Sequence, residues 1–161
     1  MVNRVYAVGD IHGHLARLTD IHARIRADQA RINDPTAPVI HVGDLVDRGP
    51  DSKGVIEHLL TGINRGENWT VLKGNHDRLF QRFLEDSTWR DPVLRADYTW
   101  LHPNMGGWTT LESYGVAPQP DLPLPELQAI TLDAVPEAHR QFLASLPLYH
   151  QSGDLLFVHA G

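Results

Sequence analysis

The pattern that most constrains this chain is a short apolar run ending in glycine and a polar residue, which occurs three times in the first half of the sequence. The runs are RVYAVGD (4–10), APVIHVGD (37–44) and NWTVLKGNHD (68–77). Residues with helical periodicity follow each run. Alternating strands and helices predict an α/β fold with βαβαβ connectivity and a parallel sheet. Right-handed crossovers then bring the carboxyl ends of the strands to one edge.

The helices are expected between and after these runs. Apolar residues recur at helical spacing from Leu15 to Ile25 and from Val55 to Ile63. We expect Asp51 or Ser52 to cap the second helix, and RLFQRFLED to continue the third run as a helix.

The second half of the chain is less regular. GGWTTLESYG predicts a short helix that ends at Gly115, and the proline-rich stretch 117–126 predicts a loop. A helix near Glu137–Leu146 is expected next, and the final DLLFVHAG predicts another strand. Four aromatic residues lie between positions 89 and 108, and we interpret them as a satellite hydrophobic cluster rather than a base-stacking surface: Trp89, Tyr98, Trp100 and Trp108.

Composition limits the classes of protein to consider. A chain of 161 residues is long enough for one domain, 1–161, with its own core. A net charge of -6 argues against a surface that binds nucleic acid, and the absence of cysteine excludes disulfides and thiolate metal sites. No apolar stretch approaches the roughly 18 residues of a membrane span, so no membrane partner is expected. An acid follows too soon in MVNRVYAVGD for a signal peptide, which favours the cytoplasm.

Polar residues follow each predicted strand, and in a parallel sheet such residues converge on one crevice. The residues expected to meet there are Asp10, His12, Asp44, Asn75, His76 and His159. Oxygen and imidazole donors without thiolate suit divalent ions such as Mn, Fe or Zn.

The density of acidic residues favours two divalent ions over one. Four carboxylates crowded into a partly dry cleft repel one another unless cations neutralise them: Asp10, Asp44, Asp47 and Asp77. Two ions about 3.5–4 Å apart can clamp a displacement at phosphorus and activate a water as nucleophile, and a central Asp44 could bridge them. The planar fork of Arg48 matches two phosphate oxygens.

Three motifs, GDIHG (9–13), GDLVDRG (43–49) and GNHD (74–77), resemble the signatures of the calcineurin-like metallophosphoesterases. Within that superfamily they are similar to the phosphoprotein phosphatase branch, which contains serine/threonine protein phosphatases and symmetrical diadenosine tetraphosphatases. The resemblance implies the layered fold of that family, with metal ligands at the carboxyl ends of the strands. It is dense over residues 4–80 and resumes at 155–161.

The resemblance also implies roles for individual residues. Asp10 and His12 become ligands of a first metal, Asp44 bridges, and Asn75 and His159 hold a second metal. The remaining implied roles are those of the catalytic residues: His76 as general acid, Asp47 as the acid that orients its ring, and Arg48 as phosphate clamp.

The sequence departs from the family pattern in two places. Asp77 stands where protein phosphatases usually have glutamate. The chain also stops at Gly161, before a further strand, a second-metal histidine and a phosphate-binding arginine of the family. We therefore expect a C-terminally incomplete domain and sheet that leaves an apolar surface uncovered, binds the first metal better than the second and turns over weakly.

The predicted function is metal-dependent hydrolysis of a phosphorylated protein or small phosphoester, with manganese the favoured metal. The alternatives are hydrolysis of dinucleoside polyphosphates and a catalytically impaired module that binds metal or phosphate. A nucleic-acid phosphodiesterase is disfavoured by the acidic balance. For the other histidines we expect structural roles: His14, His22, His41, His58, His102, His139 and His150.

Overall fold

The computed structural model describes residues 4–95 and 98–160. Gly161, which ends the last strand-end motif, lies outside the described residues. The strands are β1 (Tyr6–Val8), β2 (Val39–His41), β3 (Trp69–Val71), β4 (Tyr149–Ser152) and β5 (Leu155–Val158). The helices are α1 (Leu15–Arg31), α2 (Ser52–Asn64), α3 (Asn75–Glu85), α4 (Gly107–Ser113), α5 (Leu124–Ala134) and α6 (Glu137–Ser145).

The first three strands form the predicted parallel sheet. Its order is β1-β2-β3, with Tyr6 opposite Val39 and Val39 opposite Trp69. Helices α1 and α2 supply the crossovers, so the βαβαβ prediction is confirmed. All three strands therefore deliver their following loops to the same edge of the sheet.

The last predicted strand does not extend this sheet. Within the described residues, β5 pairs antiparallel with β4 in a separate two-stranded sheet. The antiparallel pairing follows from the connection, because the two-residue turn Gly153–Asp154 can join only antiparallel strands and Gly153 supplies the positive φ of 59°. Leu155 and Leu156 of this hairpin are 51% and 64% exposed.

The helix boundaries follow the expected signals with one correction. The Asp51 carboxylate accepts a hydrogen bond from the Gly54 amide and caps α2. Gly115 lies just beyond α4 with φ of 86°. The predicted loop 117–126 ends earlier, because α5 begins at Leu124 and accommodates Pro125 in its first turn, where proline costs no hydrogen bond.

The core lies between the parallel sheet and the helices. Its largest fully buried apolar side chains come from both halves of the chain and include Ile40, Ile56, Phe80, Leu111 and Leu143. Trp100 belongs to this core, with its ring 5.0 Å from that of Phe80, so the prediction of a separate aromatic cluster is wrong for this residue. Among the described residues, no helix combines the length and apolar character that crossing a membrane requires.

Candidate metal centre

The loops after β1 and β2 contain residues in an uncommon backbone conformation. Among the described residues, five other than glycine have positive φ, and four lie in the predicted site: His12 (45°), Asp44 (52°), Asp47 (72°) and Arg48 (68°). Such conformations cost free energy and cluster at functional sites, where the surrounding structure maintains them. The surrounding structure therefore stabilises backbone conformations of higher free energy, and these conformations orient the four side chains.

The turns after β2 and β3 approach each other closely. A Cβ on Gly43 would lie 2.5 Å from the Gly74 nitrogen, and a Cβ on Gly74 would lie 2.1 Å from Asp44 Oδ1. Only glycine fits at this contact, since real Cβ atoms do not come so near other atoms. The two glycines let the Asp44 loop lie directly against the start of α3.

A first group of donor atoms consists of Asp10, His12 and Asp44. His12 Nε2 lies 3.9 Å from Asp10 Oδ2 and 3.7 Å from Asp44 Oδ2. His12 Nδ1 donates to the Val46 carbonyl at 2.9 Å, so Nε2 is the ring nitrogen that faces the two carboxylates. Asp10 and Asp44 also offer ligand atoms within 4.8 Å of one on His159, so Asp10 lies near His159 as well as His12.

A second group lies on the other side of Asp44. His159 Nε2 is 3.3 Å from Asp44 Oδ1 and 3.0 Å from Asn75 Oδ1. His159 Nδ1 donates to the Val42 carbonyl at 2.9 Å. The two carboxylate oxygens of Asp44 therefore face different donor atoms, Oδ2 toward His12 and Oδ1 toward His159.

The donor set fits divalent cations. His159 Nδ1 donates to the Val42 carbonyl, so its Nε2 faces the oxygens of Asp44 and Asn75, and one nitrogen and two oxygens in this arrangement could bind a cation. Backbone carbonyls orient both imidazoles in the manner typical of metal-binding histidines. Nitrogen and oxygen donors suit Mn, Fe or Zn.

The His76–Asp47 pair lies beside these groups. His76 Nδ1 donates to Asp47 Oδ2 at 2.7 Å, and the side chains are 2% and 0% exposed. The ring is therefore oriented with Nε2 directed away from Asp47. A single ligand atom from each of His12, Asp44 and His76 also lies within 4.8 Å of the others, so His76 is near the first donor group.

Arg48 occupies the space between the two histidines. Its Nη1 donates to His12 Nε2 and its Nη2 donates to His76 Nε2, both at 3.0 Å. The Arg48 residue is exposed, so its guanidinium can reach a ligand from solvent. A planar cation at this point suits a phosphate group.

Asp77 is a structural member of the site. Its carboxylate accepts hydrogen bonds from the Gly74 and Leu45 amides, both at 2.8 Å, and so connects the two close turns. Burial raises the pKa of Asp77 to about 7. The side chain is completely buried, and its bond to the Gly74 amide caps the start of α3.

Sequence reasoning missed the residues that surround Asp47. Trp100 and Thr110 both donate to its carboxylate, and Ser52 accepts from its backbone amide. Trp100 and Thr110 lie in the stretch 89–150, which carries no motif. A local signal for them does not exist in the sequence, because their contacts with Asp47 span more than fifty positions.

Four of the histidines expected to have structural roles contact residues outside the predicted metal-ligand set. His22 lies between His41 and His58 and exchanges hydrogen bonds with both, at 2.8 and 2.9 Å. His139 contacts the Tyr114 hydroxyl and the Glu57 carboxylate. These contacts agree with the structural role expected for the four histidines.

A parallel α/β sheet that gathers carboxylate, imidazole and amide donors beside an arginine defines the class of metal-dependent phosphoesterases. Residues 3–161 match the family described as Calcineurin-like phosphoesterase, and the chain belongs to that family. The resemblance seen in the motifs is thereby confirmed.

The curated relatives include both kinds of enzyme in the phosphoprotein phosphatase branch, protein phosphatases and symmetrical tetraphosphatases. The chain is 37% identical to serine/threonine-protein phosphatase 1 of Salmonella typhimurium over 76 residues, which cover 47% of this chain and 30% of that protein. It is 32% identical to the symmetrical bis(5'-nucleosyl)-tetraphosphatase of an Acidovorax species over 158 residues, covering 98% of this chain and 43% of that protein. The chain thus spans less than half the length of these curated relatives.

A solved structure shares the fold. The crystal structure of a protein assigned as a diadenosine tetraphosphatase superposes with a TM-score of 0.55 at 22% identity, covering all of this chain and 51% of that one. At this identity the likeness concerns the fold alone.

Proposed function

We propose that this chain carries the metal-binding face of a hydrolase that cleaves phosphate monoesters, with phosphoserine or phosphothreonine in proteins as the substrate class. The observation that carries the proposal is the position of Asp44, whose two oxygens face separate donor groups 3.7 and 3.3 Å away. Arg48 and His76 adjoin the same space. Family membership supports the reaction class.

The proposed metal ligands follow from the two donor groups. Asp10 and His12 would hold one divalent ion, Asn75 and His159 a second, and Asp44 both. Manganese is the proposed metal, with iron and zinc as alternatives. When bound, such ions supply charge neutralisation and a water of lowered pKa.

The chain's own residues would perform the remaining steps. Arg48 would exchange its histidine contacts for phosphate oxygens and hold the phosphate group in place. His76 would give a proton from Nε2 to the leaving oxygen, while Asp47 stabilises the positive ring through Nδ1. No covalent phosphoenzyme is required. A cytoplasmic location and the absence of nucleic-acid partners belong to the same proposal.

Hydrolysis of dinucleoside polyphosphates is a second candidate, because the relative that aligns over 98% of this chain carries that name. A cavity of about 260 Å³ lined by Trp89, Trp100 and Trp108 could also receive an aromatic ring. Asp47 favours the protein phosphatase function, since the motif of the tetraphosphatase branch often lacks an acid there.

Metal content and substrate preference test the proposal together. Elemental analysis of the purified chain should find Mn, Fe or Zn, and p-nitrophenyl phosphate and a phosphopeptide should be hydrolysed faster than diadenosine tetraphosphate. Faster cleavage of diadenosine tetraphosphate would select the second candidate. A chain with neither bound metal nor turnover in added Mn²⁺ would contradict both.

Replacing His76 separates an enzyme from a module that only binds. We expect His76→Asn to lower the rate on a phosphopeptide, whose alkoxide leaving group needs a proton, by about 10²–10⁴-fold without loss of metal. His150→Asn, in the β4–β5 hairpin, is the matched control and should keep the wild-type rate. Equal rates for both variants would show that His76 is no general acid.

A further inference from the structure

We propose that Thr110 and Trp100 are positioning residues that hold Asp47, and through it the ring of His76, in the orientation needed to protonate the leaving group. The inference rests on the proposed function and concerns two side chains from a stretch without recognisable motifs. Both are buried, with Thr110 at 0% and Trp100 at 5% exposure.

The Asp47 carboxylate is surrounded by donors. Oδ1 accepts from the Thr110 hydroxyl at 2.7 Å and from Trp100 Nε1 at 3.1 Å. Oδ2 accepts from His76 Nδ1 at 2.7 Å and from the same indole nitrogen at 2.9 Å. Every contact to this carboxylate is a donation to oxygen, so Thr110, Trp100 and His76 all bind it as an acceptor.

The hydroxyl hydrogen of Thr110 has one available direction. The Thr110 oxygen accepts from the Asp47 amide at 2.9 Å and contacts the Ser52 hydroxyl, also at 2.9 Å. Its own hydrogen therefore goes to the Asp47 carboxylate, and Ser52 donates to Thr110. Thr110 thus binds the backbone and the side chain of Asp47 at once.

Asp47 needs this support because its backbone is strained. Its φ of 72° is disfavoured for residues other than glycine, and a carboxylate on such a loop would otherwise sample several positions. Trp100 itself packs against Phe80 and Phe83 of α3, with ring centroids 5.0 and 4.8 Å away. Rigid packing on one side and α4 on the other therefore fix the acid that orients His76.

A specific consequence concerns the leaving group. A poor leaving group requires a proton as its bond to phosphorus breaks, whereas p-nitrophenolate leaves without one. Misplacing Asp47 should therefore slow hydrolysis of phenyl phosphate and spare that of p-nitrophenyl phosphate. A merely structural defect would slow both substrates alike.

The orientation of His76 can be read without turnover by proton NMR of the full chain. The His76 Nδ1 hydrogen should give a far-downfield resonance that is identified by its loss in His76→Asn. Thr110→Val, which keeps the shape of threonine, and Trp100→Phe should each shift or broaden this signal. Thr110→Ser should retain the resonance. Trp108 lines the same 260 Å³ cavity as Trp100 but does not contact Asp47, so Trp108→Phe should leave the resonance unchanged.

The inference is overturned if the wild-type chain lacks this resonance, or if both Thr110→Val and Trp100→Phe retain it unchanged. It is equally overturned if Trp108→Phe disturbs it as much as they do. Thermal unfolding confirms that each variant is folded, and two variants on different elements protect the test against the misfolding of one.

Kinetics in Mn²⁺ supply the second arm. We expect Thr110→Val to lower kcat on phenyl phosphate by about tenfold with little change in KM. The same variant should change kcat on p-nitrophenyl phosphate less than about twofold. Thr110→Ser should restore the wild-type kcat on phenyl phosphate. Equal losses on both substrates would contradict positioning. If wild type and His76→Asn are equally inactive, the proposed function fails for this chain, whereas the NMR comparison still decides the inference.

Discussion

At the scale of single residues, Asp44 is the residue on which the site depends. It is 4% exposed, its backbone has φ of 52°, and its two oxygens face the two donor groups. Aspartate and asparagine tolerate the left-handed conformation better than most other residues. Asp44 thus satisfies a backbone requirement and a chemical requirement at one position.

Asp44→Asn should separate these two requirements. Asparagine accepts the same backbone conformation, so the thermal unfolding midpoint without metal should not fall. Loss of the charge should weaken Mn²⁺ binding by at least about tenfold, as measured by titration calorimetry. Asp20→Asn, an exposed position on α1, is the control that should bind like wild type. Unchanged affinity in Asp44→Asn would show that Asp44 is no ligand.

At the scale of elements, the turns from strand to helix bring the site together. The β3–α3 turn lies against the Asp44 loop, where a Cβ on Gly74 would be 2.2 Å from the Asp44 nitrogen. Gly9, at the equivalent place after β1, has no atom within 4 Å of such a Cβ. Two strand-end glycines therefore have different structural requirements.

Gly74→Ala should destabilise the chain by about 1–3 kcal/mol, the usual cost of forcing an extra group into a packed site. Gly9→Ala should remain within about 0.5 kcal/mol of wild type. Urea denaturation measures both. A Gly74→Ala chain as stable as Gly9→Ala would mean that the two turns are further apart than the structure places them.

The cap of α2 gives a second prediction at this scale. Asp51 Oδ1 accepts from the Gly54 amide at 2.7 Å, so Asp51→Ala should cost about 1 kcal/mol of unfolding free energy. Asp51→Ser can still accept this bond and should recover most of the loss. If alanine and serine destabilise equally, the side-chain oxygen does not stabilise the helix.

At the scale of the whole molecule, a chain of three histidines joins α1, β2 and α2. His41 Nδ1 donates to the Thr70 carbonyl, so its Nε2 accepts from His22, whose Nδ1 in turn accepts from His58. All three rings are neutral in this arrangement. Burial lowers the pKa of His22 to about 3 and that of His41 to about 4, and it also lowers the pKa of His58, which is near Arg26 and Glu67.

These lowered pKa values predict loss of stability in acid. Below about pH 6.5 the histidines take up protons in the unfolded chain, while the folded chain excludes them until about pH 3–4. Each such histidine lowers the unfolding free energy by about 1.4 kcal/mol per pH unit within that window. His22→Gln should reduce this slope in urea denaturation between pH 6 and 4. The control His102→Gln should keep the slope, and an unchanged slope in His22→Gln would contradict the assignment.

Local sequence determined the parallel sheet, its helices and the motif residues at the strand ends. Strands and helices follow from periodicities of neighbouring residues, and the strand-end position itself places Asp10, Asp44 and Asn75 at one edge. This part of the site was predictable because a single topological rule converts sequence order into proximity. The roles of these residues as ligands remain predictions.

Only the tertiary structure decided the rest. In the folded chain the last strand pairs with β4 as a hairpin, and Trp100 belongs to the core. Thr110 and Trp100 donate hydrogen bonds to Asp47 across 63 and 53 positions of the chain. Those contacts depend on how α4 and the preceding loop pack against the sheet. Packing is a property of the whole folded chain, because many side chains separated in sequence must fill one space together.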